Sequence, residues 1–210
     1  MSAVEVVAPA DGAGDPASGG AAPAGADDDF RACVLEGLSA QRKWLSPRFL
    51  YDRVGAKLFE AITLLDDYYP TRTEMELLAA SAGDIARALG EGVVLIEPGS
   101  GDGVKGRLML DGLGGRVATY VPIDIAAAQL AEVASAIEAA YPGLSVVPVA
   151  ADFTKPIDLP PAARGDNEAL FFPGSTIGNM EPEEAVAFLA RLRESTGAHS
   201  LVIGVDLEKD

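Results

Sequence analysis

Apolar residues recur at helical spacing in the first part of the chain and in short continuous runs in the second part. Helical stripes are formed by Phe30, Val34 and Leu38, by Leu58, Phe59, Ile62 and Leu65, and by Leu78, Ala82, Ile85 and Leu89. Apolar runs at 93–97, 120–125, 145–150, 169–172 and 201–205 predict strands, with helical spacing returning at 104–110, 130–137 and 183–193. This alternation predicts a doubly wound, mostly parallel α/β sheet that follows a helical preface.

The same pattern divides the chain into three segments. Residues 1–29 are nearly all Ala, Gly, Pro and Asp, and such a composition predicts a disordered, low-complexity leader. Residues 30–91 form the N-terminal helical region, and residues 92–210 form a Rossmann-like domain. Because the sequence stops directly after the fifth predicted strand, we expect that this domain is incomplete at its C-terminal end.

Charge and composition exclude several classes of function. Acidic side chains outnumber basic ones by 32 to 16, so no cationic surplus favours nucleic acid or an anionic membrane surface. Cys33 and His199 are the sole residues of their kinds, which argues against a disulfide, a Cys/His metal site and any other bound metal. No apolar run approaches the ~20 residues of a membrane span. We expect a cytoplasmic monomer with a small-molecule substrate.

The strongest chemical signal follows the first predicted strand. It reads Glu97-Pro98-Gly99-Ser100-Gly101-Asp102-Gly103. The G-x-G-x-G spacing departs from the dinucleotide fingerprint and lacks the G-K-[ST] ending of a P-loop. It matches the loop of class I methyltransferases that use S-adenosylmethionine. The simpler alternative is a glycine-rich turn between a strand and a helix.

Polar or aromatic residues also follow the next two predicted strands. Asp124 is placed to accept hydrogen bonds from ribose hydroxyls, and Asp152 to accept one from an adenine amino group, with Phe153 beside the ring. Each Asp alone is as well explained as a local cap, but three features after three successive strands favour a ligand crevice. Lys105 either contacts the methionyl carboxylate of the cofactor or the loop, or is a solvated surface lysine.

The loop after the fourth predicted strand is a candidate for acceptor binding. It reads Gly174-Ser175-Thr176-Ile177-Gly178-Asn179, followed by Met180, Glu181 and Pro182. The Asn179 amide offers both donors and an acceptor, which suits a zwitterionic amino acid. The alternative, with equal weight at this point, is that Asn179 caps the helix that follows.

Several motifs together resemble one enzyme family. Tyr51-Asp52-x-x-Gly55-x-x-Leu58-Phe59, the run from Tyr68 to Arg72 with Glu74, Tyr120-Val121-Pro122-Ile123-Asp124 and the Gly174–Asn179 loop all occur in order. In these motifs the chain resembles the histidine-specific Nα-methyltransferases of ergothioneine biosynthesis, from about residue 42 to the end. The glycine loop departs from the family pattern at Pro98 and at Asp102-Gly103.

The resemblance implies an activity and a set of site residues. The family converts L-histidine to hercynine by three methyl transfers from S-adenosylmethionine. By resemblance, the cofactor site comprises Gly99, Gly101, Lys105, Asp124, Asp152 and Phe153. By resemblance, the amino acid lies against Tyr51, Tyr68, Gly174 and Asn179. Tyr51 or Tyr68 is the candidate for accepting the proton of the substrate amine.

Two alternatives to histidine methylation stay open. One is N-methylation of another amino acid, such as a prenylated tryptophan, because a related branch shares this front half. The other is a non-catalytic remnant that binds the cofactor weakly or serves only as a protein partner.

Overall fold

The computed structural model describes residues 26–50 and 53–207. Its α-helices are α1 (Ala26–Ser39), α2 (Arg53–Thr63), α3 (Pro70–Leu89), α4 (Val104–Leu113), α5 (Ala127–Ala140) and α6 (Pro182–Thr196). Its strands are β1 (Val93–Pro98), β2 (Val117–Asp124), β3 (Ser145–Val146), β4 (Val149–Ala150), β5 (Glu168–Phe172) and β6 (Ser200–Ile203). Short 3₁₀ helices occur at Pro47–Leu50, Gly114–Arg116, Pro161–Ala163 and Thr176–Asn179.

The described strands form one parallel sheet in the order β3-β2-β1-β5-β6, and β4 also pairs with β2. Strand β1 therefore lies at the centre, with the first crossover leading to β2 and a later one to β5 on its other side. Loops that follow the neighbouring strands β2, β1 and β5 emerge at the same edge of the sheet. The predicted mostly parallel, doubly wound α/β sheet is confirmed.

Both faces of this sheet are covered, which explains why its strands are nearly continuously apolar. Alternate residues of β1 belong to two separate cores: Val93 and Leu95 lie in one, and Val94 and Ile96 in the other. The first core is completed by residues of α3, α4 and α5, and the second by Phe188 and Leu192 of α6. The close approach of α3 to α4 requires Gly112, where a Cβ would collide with Ala82.

The chain divides into two compact units between Tyr69 and Pro70. The larger unit contains α3 and the whole sheet. The smaller unit contains α1 and α2. Within it the rings of Phe30 and Phe49 meet edge to face with centroids 5.0 Å apart.

Two further boundaries differ from the sequence prediction. Helix α1 begins at Ala26, inside the segment predicted as a leader, while residues 1–25 lie outside the described residues. The strand predicted over 145–150 is split into β3 and β4. The break falls at Val147 and Pro148, and proline has no backbone N–H to donate to a ladder.

Candidate functional site

The glycine loop is fixed to the end of β2 by its backbone. The amides of Gly99 and Ser100 both donate to the carbonyl of Ile123, at 2.7 and 3.2 Å. Gly99 has a φ of 74°, and a Cβ there would lie 3.1 Å from the Phe153 ring. The residue must therefore be glycine for two reasons, the left-handed backbone and the close approach of an aromatic ring.

Asp124 is joined to this loop directly. Its Oδ2 accepts a hydrogen bond from the Gly101 amide at 3.1 Å, and its Oδ1 accepts one from the Ala126 amide at 3.0 Å. A carboxylate has about four acceptor positions, so Asp124 retains capacity for hydroxyl donors of a ligand. The structure thus brings together the first two of the three features predicted from the sequence.

Asp152 and Phe153 follow β4 and complete this half of the site. Burial alone would raise the pKa of Asp152, but hydrogen bonds from the Thr154 hydroxyl (2.6 Å) and amide (3.0 Å), together with the Lys155 ammonium, lower that pKa. Asp152 is therefore an ionised acceptor at neutral pH. The Phe153 ring meets those of Phe172 and Phe188 with centroids 6.1 Å apart, which holds it against Gly99.

Two observations indicate that the glycine loop has room and an unused polar group for a ligand. The Ser100 hydroxyl is buried and has no hydrogen-bond partner among the described residues. A buried hydroxyl without a partner is costly, and a polar group of a bound ligand would satisfy it. A Cβ built on Gly101 would meet nothing within 4 Å, so there is open space beside the loop. Sequence reasoning did not single out Ser100, since burial is not visible in the loop pattern.

A buried acid lies beneath the same loop. Glu97 is the penultimate residue of β1, has 1% of its surface exposed and accepts a hydrogen bond from the Tyr120 hydroxyl. Burial raises the pKa of Glu97 to about 8, although the Tyr120 hydrogen bond and the Lys105 charge oppose the increase. Burial also raises the pKa of Tyr120. A Cβ at Gly106 would collide with both side chains, so the following helix leaves room for the pair.

Lys105 is not a solvated surface lysine. Its ammonium lies 2.5 Å from Oε2 of Glu74 on α3, and its side chain is 24% exposed. The other oxygen of Glu74 accepts a hydrogen bond from the Gly174 amide at 2.6 Å. Lys105 and Gly174 are thereby brought together. Glu74 was noted in the sequence as part of a family motif, but it was not assigned to the site.

Asn179 ends a 3₁₀ helix and does not cap α6. The cap of that helix is Glu181, whose side chain accepts from the backbone while its own amide donates to Glu184 at 3.1 Å. The capping alternative for Asn179 is therefore wrong. Its side chain is exposed and lies in the same short loop as Gly174, where a methyl-accepting substrate could contact it.

Neither candidate tyrosine belongs to the described part of the larger unit. Tyr51 lies outside the described residues. Tyr68 lies at the end of the smaller unit, where its ring meets Phe59 edge to face with centroids 5.9 Å apart. Their assignment to the substrate amine stays a prediction.

The chain matches the family described as "Histidine-specific methyltransferase, SAM-dependent" over residues 30–210. It belongs to this family. Its cofactor is accordingly S-adenosylmethionine, and the residues that would hold it are Gly99, Gly101, Lys105, Asp124, Asp152 and Phe153.

Individual relatives agree with this membership. The chain is 39% identical over 184 residues to the histidine N-alpha-methyltransferase of Mycobacterium tuberculosis, a match that covers 86% of the chain and 56% of that protein. It is 28% identical to the 4-dimethylallyltryptophan N-methyltransferase of Claviceps purpurea, over 79% of the chain and 50% of that protein. The chain thus spans little more than half the length of these relatives.

Among solved structures, a putative methyltransferase from Thermobifida fusca has the same fold. Its TM-score is 0.50 at 15% identity, covering 82% of the chain and 64% of that structure. The Rossmann-like α/β fold is therefore shown independently of the site residues. Within the described residues, no helix is long and apolar enough to cross a membrane.

Proposed function

We propose that this chain is part of an Nα-methyltransferase that converts L-histidine to hercynine with S-adenosylmethionine. The observation that carries the proposal is the contact of Lys105 with Glu74 and of Glu74 with Gly174. This contact joins the loop after β1, which suits the cofactor, to the loop after β5, which suits an amino acid. The match to the mycobacterial histidine methyltransferase supports histidine as the acceptor.

The proposed reaction is a direct displacement. The bound cofactor supplies an electrophilic methyl group on a sulfonium. Held by the loop after β1 and by Asp124 and Asp152, the cofactor would transfer this methyl group to the histidine nitrogen, and the electron pair of the C–S bond would stay with sulfur. The nucleophile must be the free amine, so the ammonium first loses its proton to Tyr51 or Tyr68 acting as phenolate, or to water that the tyrosine hydroxyl orients. This assignment requires no metal and no covalent intermediate.

The rest of the proposed mechanism is orientation. Asp124 and Asp152 would hold the ribose and adenine, and the loop carrying Gly174 and Asn179 would hold the amino acid. Holding both reactants in line converts a bimolecular step into an effectively unimolecular one, which can supply about 7–11 kcal/mol of the barrier. Rigid loops at one sheet edge are suited to that task.

The Claviceps relative suggests a second methyl acceptor, 4-dimethylallyltryptophan, which can be compared directly with L-histidine. The purified full-length protein is incubated with S-adenosylmethionine and either L-histidine or 4-dimethylallyltryptophan, and the masses of the products are measured by mass spectrometry. We expect histidine carrying one, two and three added methyl groups. Methylation of the tryptophan derivative alone would instead support that acceptor.

The non-catalytic alternative is tested by the same preparation. Calorimetry with S-adenosylhomocysteine measures cofactor binding without any acceptor. Binding of S-adenosylhomocysteine with no methylation of either amino acid would refute catalysis by this chain and leave a cofactor-binding protein.

A further inference from the structure

Glu74 links three segments that are distant in sequence. It lies on α3, 31 residues before Lys105 and 100 residues before Gly174, and it bonds to both. One carboxylate oxygen accepts a hydrogen bond from the Lys105 ammonium, and the other accepts one from the Gly174 amide. Hydrogen bonds in which the acceptor is ionised are about twice as strong as neutral ones, so this is a firm connection.

The surroundings of Glu74 are shaped to admit its carboxylate. Gly204, just after β6, leaves no room for a Cβ because that atom would collide with Oε1 of Glu74. Gly174 has a φ of 87°, and a Cβ there would stand 3.2 Å from the Lys105 ammonium. Glycine at 204 therefore leaves space for the carboxylate, and the left-handed backbone at 174 favours glycine there.

Burial makes the pair more than a surface contact. The Glu74 side chain is 15% exposed and that of Lys105 is 24% exposed. Water and salt screen such a pair less than an exposed one. Removing the carboxylate would leave a partly buried ammonium without its partner and the Gly174 amide without its acceptor.

We propose that Glu74 is a positioning residue that couples the cofactor side of the site to the acceptor loop. Lys105 is the second residue of α4, just after the glycine loop, and Gly174 begins the segment that ends at Asn179. When a bound cofactor draws the Lys105 ammonium toward it, the carboxylate transmits the change to Gly174 and orders the acceptor loop. This role goes beyond the proposed function and rests on it only for the kinetic measurement below.

Hydrogen exchange tests the coupling without any methylation. Exchange is followed by mass spectrometry in peptides covering 99–110 and 173–180, with and without S-adenosylhomocysteine. The proteins are the wild type, Glu74→Gln, Glu74→Ala and Glu76→Ala. Glu76 lies on the same helix but is exposed, so its variant is a matched control for the loss of one charge. Glu74→Gln keeps the size and one acceptor oxygen, which guards against a variant that does not fold.

In the wild type and in Glu76→Ala, S-adenosylhomocysteine should slow exchange in both peptides. In the Glu74 variants the ligand should still slow exchange at 99–110, but its effect at 173–180 should fall about fivefold or more. The decrease should be larger in Glu74→Ala than in Glu74→Gln. Steady-state kinetics should show a raised KM for the amino acid, with the affinity for S-adenosylhomocysteine within about twofold of wild type.

Three results would overturn the coupling. The first is that S-adenosylhomocysteine slows exchange at 173–180 as much in Glu74→Ala as in the wild type. The second is that the slowing is lost equally in both peptides, which would mark Glu74 as a general anchor of α3. The third is that S-adenosylhomocysteine does not slow exchange at 173–180 in the wild type. Absence of methylation with the expected exchange pattern would contradict the proposed function alone.

Discussion

The Oδ2 atom of Asp124 accepts a hydrogen bond from the amide of Gly101 at 3.1 Å, across 23 residues of sequence. The residue that suits a ribose thus also holds the glycine loop in place. The side chain proposed to contact the ligand therefore also supports the loop that forms the other side of the crevice.

Asp124→Ala should lower affinity for S-adenosylhomocysteine about tenfold or more. The variant loses a charged acceptor for ligand hydroxyls and the support of Gly101, and such a hydrogen bond is worth about 1.5–3 kcal/mol. Calorimetry measures the effect. Asp166→Ala is the control, because Asp166 is exposed and its substitution removes the same charge. Equal affinities in Asp124→Ala and wild type would contradict the assignment.

Asn179→Ala should raise the KM for the amino acid and lower turnover, with cofactor affinity preserved. Without the Asn179 amide, one charge of the bound amino acid is left partly unpaired, at a cost of about 1–3 kcal/mol. Initial-rate kinetics measure this change. Because Glu181 caps α6, the melting temperature of Asn179→Ala should stay close to that of wild type.

Glu181→Ala is the matched control and should show the reverse behaviour. Loss of the cap should destabilise the protein by about 0.5–2 kcal/mol and leave the KM unchanged. If Asn179→Ala loses stability while its KM stays constant, Asn179 has no role at the acceptor.

Stability should fall as the pH rises from about 4.5 to about 8, on account of Glu97. In this interval the unfolded chain has released the proton that native Glu97 retains, so the native state binds more protons and loses stability with increasing pH. Above about pH 8 both states are ionised and this contribution levels off. The decrease is on the order of a few kcal/mol.

Urea unfolding across this interval, in wild type and in Glu97→Gln, measures the contribution. The Gln variant stays neutral and should show a flatter profile, whereas the exposed Glu183→Gln should follow the wild type. Parallel profiles for wild type and Glu97→Gln would show that Glu97 is ionised throughout.

Tyr68→Phe should lower turnover about a hundredfold or more while leaving cofactor affinity unchanged. The variant keeps the ring that meets Phe59 but lacks the phenol proposed to take the amine proton, and general base catalysis typically contributes 10²–10⁴-fold. Methylation kinetics with Tyr69→Phe as control decide which of the adjacent tyrosines acts. A loss confined to Tyr69→Phe would move the role to that residue.

Features with a local or periodic signal were predictable from the sequence. Strand β1, its glycine loop and Asp124 each follow from apolar runs, turn glycines and spacing, and the parallel sheet follows from their alternation. The break at Pro148 was also visible in principle, because proline cannot continue a ladder. It was missed since the flanking valines complete an apolar run.

Other features depend on contacts between distant segments. The pairing of Glu74 with Gly174 spans 100 residues, and no periodicity marks it. The unpartnered Ser100 hydroxyl and the raised pKa of Glu97 follow from burial, which exists only after the sheet is covered by helices. The cap at Glu181 required backbone geometry to distinguish it from Asn179.

The central position of β1 has a consequence for how such proteins diversify. The residues proposed to hold the cofactor all lie in the continuous stretch from β1 to Phe153, and the strands that follow β1 in this stretch lie on one side of it. The loop proposed for the acceptor comes later in the chain and on the other side. Recombination between these two stretches would exchange the acceptor loop after β5 for that of another gene and leave the residues proposed for the methyl donor intact.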